Sequence, residues 1–195
     1  MGVFRAIVLC MAVFLVGCAS PYLDASIKEV PASQFKKPSS AVPVQLLFEF
    51  QTKGIVNAQA TNLLRDQVTN QVKTSGLFSA VESGPVAGGA SLSITINNVP
   101  MTDDAFAKGF VTGLTFGLAG SQVTDGYVAY ATYRANATAE PIIKKVRHAI
   151  HTNLGADTAP ANATKMPDIR TAAMQMGKDV VSNMLNDISQ DPNFK

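Results

Sequence analysis

The chain has 195 residues, of which 47% are hydrophobic and 15% are charged. This composition can bury the core of one domain or of two small ones, and it excludes an intrinsically disordered protein. The 16 basic and 14 acidic side chains give a formal charge of +2, which is too small to indicate a nucleic-acid-binding protein. We therefore expect a globular protein with no nucleic-acid partner.

The N-terminus has the parts of an export signal. A short basic region ends at Arg5, and an apolar run of about eleven residues follows over positions 6–16. That run is shorter than the roughly 20 apolar residues a membrane-spanning helix needs. It closes on Leu15-Val16-Gly17-Cys18, which resembles the L-x-G-C lipobox of bacterial lipoproteins. We interpret residues 1–17 as a lipoprotein signal peptide. The alternative is an ordinary signal peptide with an incidental cysteine.

The lipobox resemblance implies that Cys18 is the first mature residue and carries a diacylglycerol thioether and an amide-linked acyl chain such as palmitate. Position 19 is Ala rather than Asp, and in lipoproteins of this kind Asp there means retention in the inner membrane. The resemblance therefore implies an outer-membrane protein that faces the periplasm. Cys10 leaves with the signal peptide, so the mature domain has no disulfide.

Residues 18–42 contain three prolines and have no sustained hydrophobic period. We predict that this stretch is the lipidated cysteine followed by a flexible tether. Residues 43–195 are predicted to form a single periplasmic domain.

The domain begins with a predicted strand over residues 44–50, and Gly54 ends that element. A helix is predicted over residues 57–75, with Asn57 as its N-cap and Gly76 in the left-handed position after it. The predicted buried stripe of this helix consists of Ala60, Leu63, Leu64, Val68 and Val72.

Strands are predicted next over residues 77–82 and 91–96, and the second alternates so that Leu92, Ile94 and Ile96 point inward. Residues 127–137 and 142–153 are predicted to form a hairpin that turns at Pro141.

The last helix is predicted to start near Pro167, with Asp168 in its first turn, and to stop at Asp191-Pro192. Its predicted buried stripe is Ile169, Ala172, Ala173, Met176, Val180, Met184 and Ile188. Together these elements predict an α+β fold: a mostly antiparallel sheet of about five strands, with two amphipathic helices packed on one face.

The opening of the domain adds a second resemblance. A strand, a helix that ends in Ser-Gly-Leu-Phe and a strand that begins Ala80-Val81-Glu82 resemble the opening of CsgG-like and penicillin-binding-protein activator lipoproteins. The resemblance covers residues 44–83 and implies a periplasmic lipoprotein domain. It implies no functional residue.

An apolar, glycine-rich insert occupies residues 105–123, with Lys108 as its one charged residue. Its glycines recur every four residues, so on a helix they would form a smooth ridge that another backbone can approach. The insert could pack on the sheet of its own domain, dip into a membrane or self-associate beside the lipid anchor, or act as a lid over a ligand pocket. The candidate membrane or partner contacts are Phe106, Gly109, Phe110, Gly113, Leu114, Gly117 and Leu118.

Basic residues cluster on the second strand of the predicted hairpin. Alternation places Lys145, Arg147 and His151 on one face, and Lys144 and His148 on the other. The first face could contact lipid phosphates or an acidic partner, or it could be the solvated side of the sheet. Because the two histidines point to opposite faces, we expect no shared metal site.

The sequence has no nucleophile elbow, phosphate-binding loop or dinucleotide-binding motif. We therefore predict a non-enzymatic envelope lipoprotein without a cofactor, which binds the membrane through its anchor and either an envelope protein or a second copy of itself. The alternative is a carrier or sensor of a small apolar ligand held under the glycine-rich insert. A carrier needs an enclosed apolar cavity, whereas an enzyme needs converging polar groups with perturbed ionisation in one cleft.

Overall fold

The computed structural model describes residues 19–100, 122–154 and 159–195. Within these ranges the chain forms one sheet, two α-helices and a short 3-10 turn at Ala32–Gln34. The elements are β1 (Ala19–Asp24), β2 (Pro43–Thr52), β3 (Ile55–Val56), α1 (Ala58–Thr74), β4 (Ala80–Glu82), β5 (Ser91–Pro100), β6 (Gln122–Arg134), β7 (Ile142–Leu154), β8 (Ala163–Lys165) and α2 (Ile169–Ser189).

The described strands form an eight-stranded sheet in the order β3-β2-β5-β6-β7-β1-β8, and β4 pairs with β2. Strand β2 is parallel to β4 and to β5, and the other pairs are antiparallel. The predicted α+β class with a mostly antiparallel sheet is therefore confirmed. The predicted number of five strands is too low, because β1, β3 and β8 were not recognised.

The stretch predicted as a flexible tether is largely part of the fold. Ala19–Asp24 forms β1, which pairs with β7 and β8, and Leu23 is buried. Phe35 belongs to the core, and the backbone N–H of Lys36 donates to Ser189 Oγ of α2 over 3.1 Å. The prediction of a tether is wrong for these residues, because contacts distant in the sequence stabilise a segment that has no periodicity of its own.

The first helix follows its prediction closely. The Asn57 side chain accepts a hydrogen bond of 3.0 Å from the Ala60 backbone N–H, as an N-cap should. Gly76 follows the helix with φ of 70°, a left-handed conformation that glycine adopts without a steric penalty. Leu64 and Val68 are fully buried.

The second helix differs from its prediction at its start. Asp168 is the N-cap rather than a first-turn residue, and its carboxylate accepts a hydrogen bond of 2.7 Å from the Thr171 backbone N–H. Ile169, predicted in the buried stripe, is exposed because it lies at the first helical position, on the solvent side. The stripe from Ala172 to Ile188 is buried as predicted at positions 172, 176, 180, 184 and 188.

Strand alternation divides the sheet into two faces. One face carries the apolar residues that pack against the two helices, among them Phe48, Ile94 and Ile150. The opposite face, which we call the outer face, carries the intervening residues of β2, β5, β6 and β7, among them Leu47 and Tyr130. The two helices also pack on each other, with Gly177 of α2 against Leu64 of α1.

Candidate functional site

The residues predicted to contact the membrane lie outside the described ranges. These are Cys18 and the seven insert positions Phe106, Gly109, Phe110, Gly113, Leu114, Gly117 and Leu118. The last two positions of the predicted insert, 122 and 123, are the first two of β6. The described strands nevertheless establish where the chain leaves the sheet on either side of these segments.

Four chain ends lie together at one end of the sheet. Ala19, the first residue of β1, pairs with Leu154, the last residue of β7. Gln122, the first residue of β6, pairs with Asn153, and Pro100, the last residue of β5, pairs with Asp125. We call this the anchor end. The residue after Cys18 and both flanks of the segment at positions 101–121 are therefore at the same end of the sheet.

The β2–β3 turn also lies near the anchor end, since Thr52 pairs with Asn98 two residues before β5 ends. It exposes two large apolar side chains, Ile55 at 74% and Val56 at 57% of their surface. Val123, one residue into β6, is exposed at 51%. Apolar side chains are thus exposed to solvent where the chain meets the predicted membrane contacts.

The predicted basic face is only partly basic. Lys145 and Arg147 are exposed on the outer face of β7, and Lys145 Nζ lies 5.3 Å from the centre of the Tyr130 ring. His151 shares that face by alternation, but it is 3% exposed. The expectation of three solvent-facing cations is therefore wrong for His151, because β1 pairs alongside it and contributes Asp24.

His151 lies between two oxygen atoms. Its Nδ1 atom is 2.9 Å from Thr124 Oγ1, and its Nε2 atom is 3.9 Å from Asp24 Oδ2. Burial raises the pKa of Asp24, but the neighbouring His151 and the hydrogen bonds from Ser26 outweigh it and hold the pKa below its usual value. The Ser26 backbone N–H donates to Asp24 Oδ1 over 2.8 Å. This arrangement holds the end of β1 against β7.

His148 lies on the helix-facing side, as alternation predicts, and is fully buried. The Ala149 backbone N–H donates to its Nδ1 atom over 2.9 Å, so Nδ1 carries no proton. Nε2 must then carry the proton, and it donates to Asp179 Oδ2 over 3.1 Å. The other oxygen, Oδ1, accepts from Gln175 Nε2 over 2.9 Å. Both nitrogens of His148 are engaged within the protein.

Asp24 and Asp179, the two carboxylates beside the histidines, both line one cavity. A cavity of about 300 Å³ is lined by Leu23, Asp24, Ala25, Ile27, Lys28, Glu29, Thr164, Met166, Gln175 and Asp179. Within the described residues, no group of three or more His, Cys, Asp or Glu side chains is placed to hold a metal ion. Because both carboxylate oxygens of Asp179 and both nitrogens of His148 already have partners, this pair holds β7 against α2.

A second cavity, of about 360 Å³, lies at the β2 edge and includes Glu49, Arg65 and Ser83 in its lining. Charged side chains line both cavities and both open to solvent, so neither is the enclosed apolar cavity that a carrier of an apolar ligand needs. The carrier alternative stays a prediction that these cavities do not support.

Sequence reasoning missed Asp24 and Asp179 as the partners of the two histidines. A signal for Asp179 was present: it lies three residues after Met176, within the apolar stripe of α2, and a charged residue there is buried only with a partner. Nothing in the sequence identified which histidine that partner would be. Asp24 carried no signal, because β1 itself was not predicted.

Among the described residues, no helix combines the length and apolar character required to cross a bilayer. No protein-family model matches the chain, and no curated protein matches it.

Several solved structures are similar to the chain. A PelC dodecamer from Paraburkholderia phytofirmans is 9% identical with a TM-score of 0.32, and the match covers 87% of this chain and 96% of that one. A neuraminyllactose-binding hemagglutinin homologue from Helicobacter pylori is 13% identical with a TM-score of 0.42, covering 84% and 87%. Rare lipoprotein B from Shewanella oneidensis is 10% identical with a TM-score of 0.34, covering 74% and 93%. At these identities and TM-scores the likenesses carry no argument about function.

Proposed function

We propose that this protein is an outer-membrane lipoprotein and a non-enzymatic binding or assembly component of the bacterial envelope. The observation that carries the proposal is the anchor end. Ala19, which follows the predicted lipidated Cys18, starts β1 at the same end of the sheet where β5 ends and β6 begins. The lipid anchor and the apolar segment that joins β5 to β6 would therefore reach one membrane surface together.

Two attachments at one end have a physical consequence. The first attachment confines the second close to the membrane, so the second operates at a high effective concentration. With the anchor on β1 only one residue from the sheet, the domain would stand with its strands pointing away from the bilayer. The exposed side chains of Ile55 and Val56 at this end are suited to a partly apolar interface.

The buried polar groups support a non-enzymatic role. A general base must have a nitrogen or oxygen free to reach a substrate proton. His148 has both nitrogens occupied by the protein and is fully buried, and His151 is 3% exposed with Thr124 and Asp24 beside its nitrogens. His148 therefore joins β7 to α2, and His151 joins β7 to β6 and β1.

The test is the Cys18→Ala variant, compared with Cys10→Ala as the matched control. Cys18→Ala should lose incorporation of labelled palmitate and move to the soluble periplasmic fraction. Cys10→Ala changes a cysteine in the signal peptide and should remain labelled and in the outer membrane. Persistence of Cys18→Ala in membranes after a high-salt wash would contradict anchoring by lipid alone.

A second variant separates the two attachments. Replacing residues 105–121 with a short Gly-Ser linker, in the Cys18→Ala background, should release any protein that the apolar segment still holds on the membrane. If this double variant also stays in the membrane fraction, neither proposed attachment explains membrane association.

A further inference from the structure

The strand register arranges side chains of the outer face in rows across four strands. One row consists of Leu47, Ser93, Thr132 and Ile143, and the next consists of Glu49, Thr95, Tyr130 and Lys145. Leu47 is 48% exposed, Tyr130 40% and Ile143 58%, so this part of the face is open to solvent.

In each row, the side chain at the β2 end and the side chain at the β7 end are complementary. The first row has an apolar side chain at each end and hydroxyl groups between them. The second row has an acid, Glu49, on β2 and a base, Lys145, on β7. Three strand spacings separate these two charges by roughly 14 Å, so they cannot pair within one chain.

We propose that the outer face binds a second copy of this chain, through a two-fold axis that runs parallel to the strands between β5 and β6. Rotation about this axis lays β7 of the second copy over β2 of the first. Glu49 then faces Lys145 of the second copy, and Leu47 faces Ile143 of the second copy. Because the contact is isologous, each pair occurs twice.

The direction of the two-fold axis is also compatible with two copies anchored in the same membrane. A two-fold axis parallel to the strands keeps the anchor ends of both copies at the same end of the dimer. An axis across the strands would point the two anchor ends in opposite directions and would lose the Glu49–Lys145 match. This step rests on the proposed membrane anchoring, whereas the charge and apolar matches do not.

The contact is small. Two rows on four strands cover roughly 14 Å by 19 Å, or about 270 Å² on each copy, which is below the roughly 800 Å² per partner of a standard specific interface. Such a dimer would be weak in dilute solution. Confinement to a membrane raises the effective concentration of the copies, and this favours the dimer without any added contact.

Cysteine cross-linking tests the arrangement. The proposed lipoprotein has no free cysteine of its own, because Cys10 would be removed with the signal peptide and Cys18 would carry lipid. Leu47→Cys and Ile143→Cys are placed on two differently tagged full-length copies, which are co-expressed and treated with a mild oxidant in isolated membranes. The Leu47–Ile143 cross-link should exceed the one formed when Ile169→Cys, similarly exposed at 54% on α2, replaces Ile143→Cys. A yield equal to this control, or a dominant Ile143–Ile143 cross-link, would overturn the proposal.

Charge reversal supplies a second readout that does not depend on oxidation geometry. Glu49→Lys or Lys145→Glu alone should lower the Leu47–Ile143 cross-link several-fold, because each places like charges opposite one another twice in the dimer. The two reversals together should restore it, whereas Lys73→Glu on the exposed side of α1 should leave it unchanged. No recovery in the double reversal would overturn the pairing.

The same samples are fractionated. Recovery of the unaltered Cys18 protein in the soluble fraction would refute the proposed anchoring, while the cross-link measured in that fraction would still decide the dimer.

Discussion

His148 Nε2 lies 3.1 Å from Asp179 Oδ2, and this hydrogen bond joins the middle of β7 to the buried side of α2. Both side chains are nearly inaccessible to water, at 0% and 3% exposure. The Ala149 N–H fixes the tautomer of the imidazole, so the contact has a defined donor and acceptor. A buried polar pair of this kind contributes to stability mainly because losing one partner leaves the other unsatisfied.

Asp179→Ala should therefore destabilise the protein. The substitution leaves the Nε2–H of His148 without an acceptor in a site closed to water, which costs about 1–3 kcal/mol. Asp66→Ala, at an exposed carboxylate on α1, should change the free energy of unfolding by no more than about 0.5 kcal/mol. Urea unfolding followed by circular dichroism measures both, and equal effects would contradict the structural role of the pair.

The lowered pKa of Asp24 predicts that the stability of the fold depends on pH. Its pKa is below the usual value in the folded protein, so the ionised form is favoured by folding. The corresponding stabilisation is present above the unfolded pKa of about 3.9 and is lost as pH falls through the lower folded value. The wild type should therefore lose more stability between pH 5 and pH 3 than Asp24→Asn does. Asp66→Asn, at an exposed position, should lose as much as the wild type. A parallel loss in Asp24→Asn and wild type would refute the role of Asp24.

Alanine substitutions on α2 distinguish the buried residues of the helix from its exposed first residue. Met184 is fully buried, so Met184→Ala should cost about 2–5 kcal/mol of unfolding free energy. Ile169 is 54% exposed, and Ile169→Ala should cost less than about 1 kcal/mol although it also removes a large apolar side chain. Thermal unfolding of the two variants checks the burial of the helix. Comparable losses would mean that Ile169 is packed against the core.

Features encoded by near neighbours could be predicted from the sequence. The span and cap of α1 follow from the 3.6-residue spacing of its apolar residues and from Asn57, and both are local patterns. The inward residues of β5 follow from alternation over six positions. The opposite faces of His148 and His151 follow from the same rule.

Features that depend on distant partners could not be predicted. Ala19 pairs with Leu154, and no local signal links a proline-containing segment at one end of the chain to a strand near the other. The burial of His151 depends on that same pairing, because β1 brings Asp24 beside it. The short strands β3 and β8 have two and three residues, too few for a periodic pattern.

The packing of α1 on α2 gives a further prediction at Gly177. A Cβ atom there would lie 3.1 Å from Gln67 Nε2 and 3.6 Å from Leu64 Cδ2, so a glycine allows the two helices to approach closely. Leucine has a higher helix propensity than glycine by up to about 1 kcal/mol, but its side chain would force the helices apart at a cost of about 1–3 kcal/mol. We therefore expect Gly177→Leu to lower the free energy of unfolding. Gly84→Leu, where a Cβ meets nothing within 4 Å, should change it by about 0.5 kcal/mol or less. A Gly177→Leu protein as stable as the wild type in urea would show that the helices do not pack this closely.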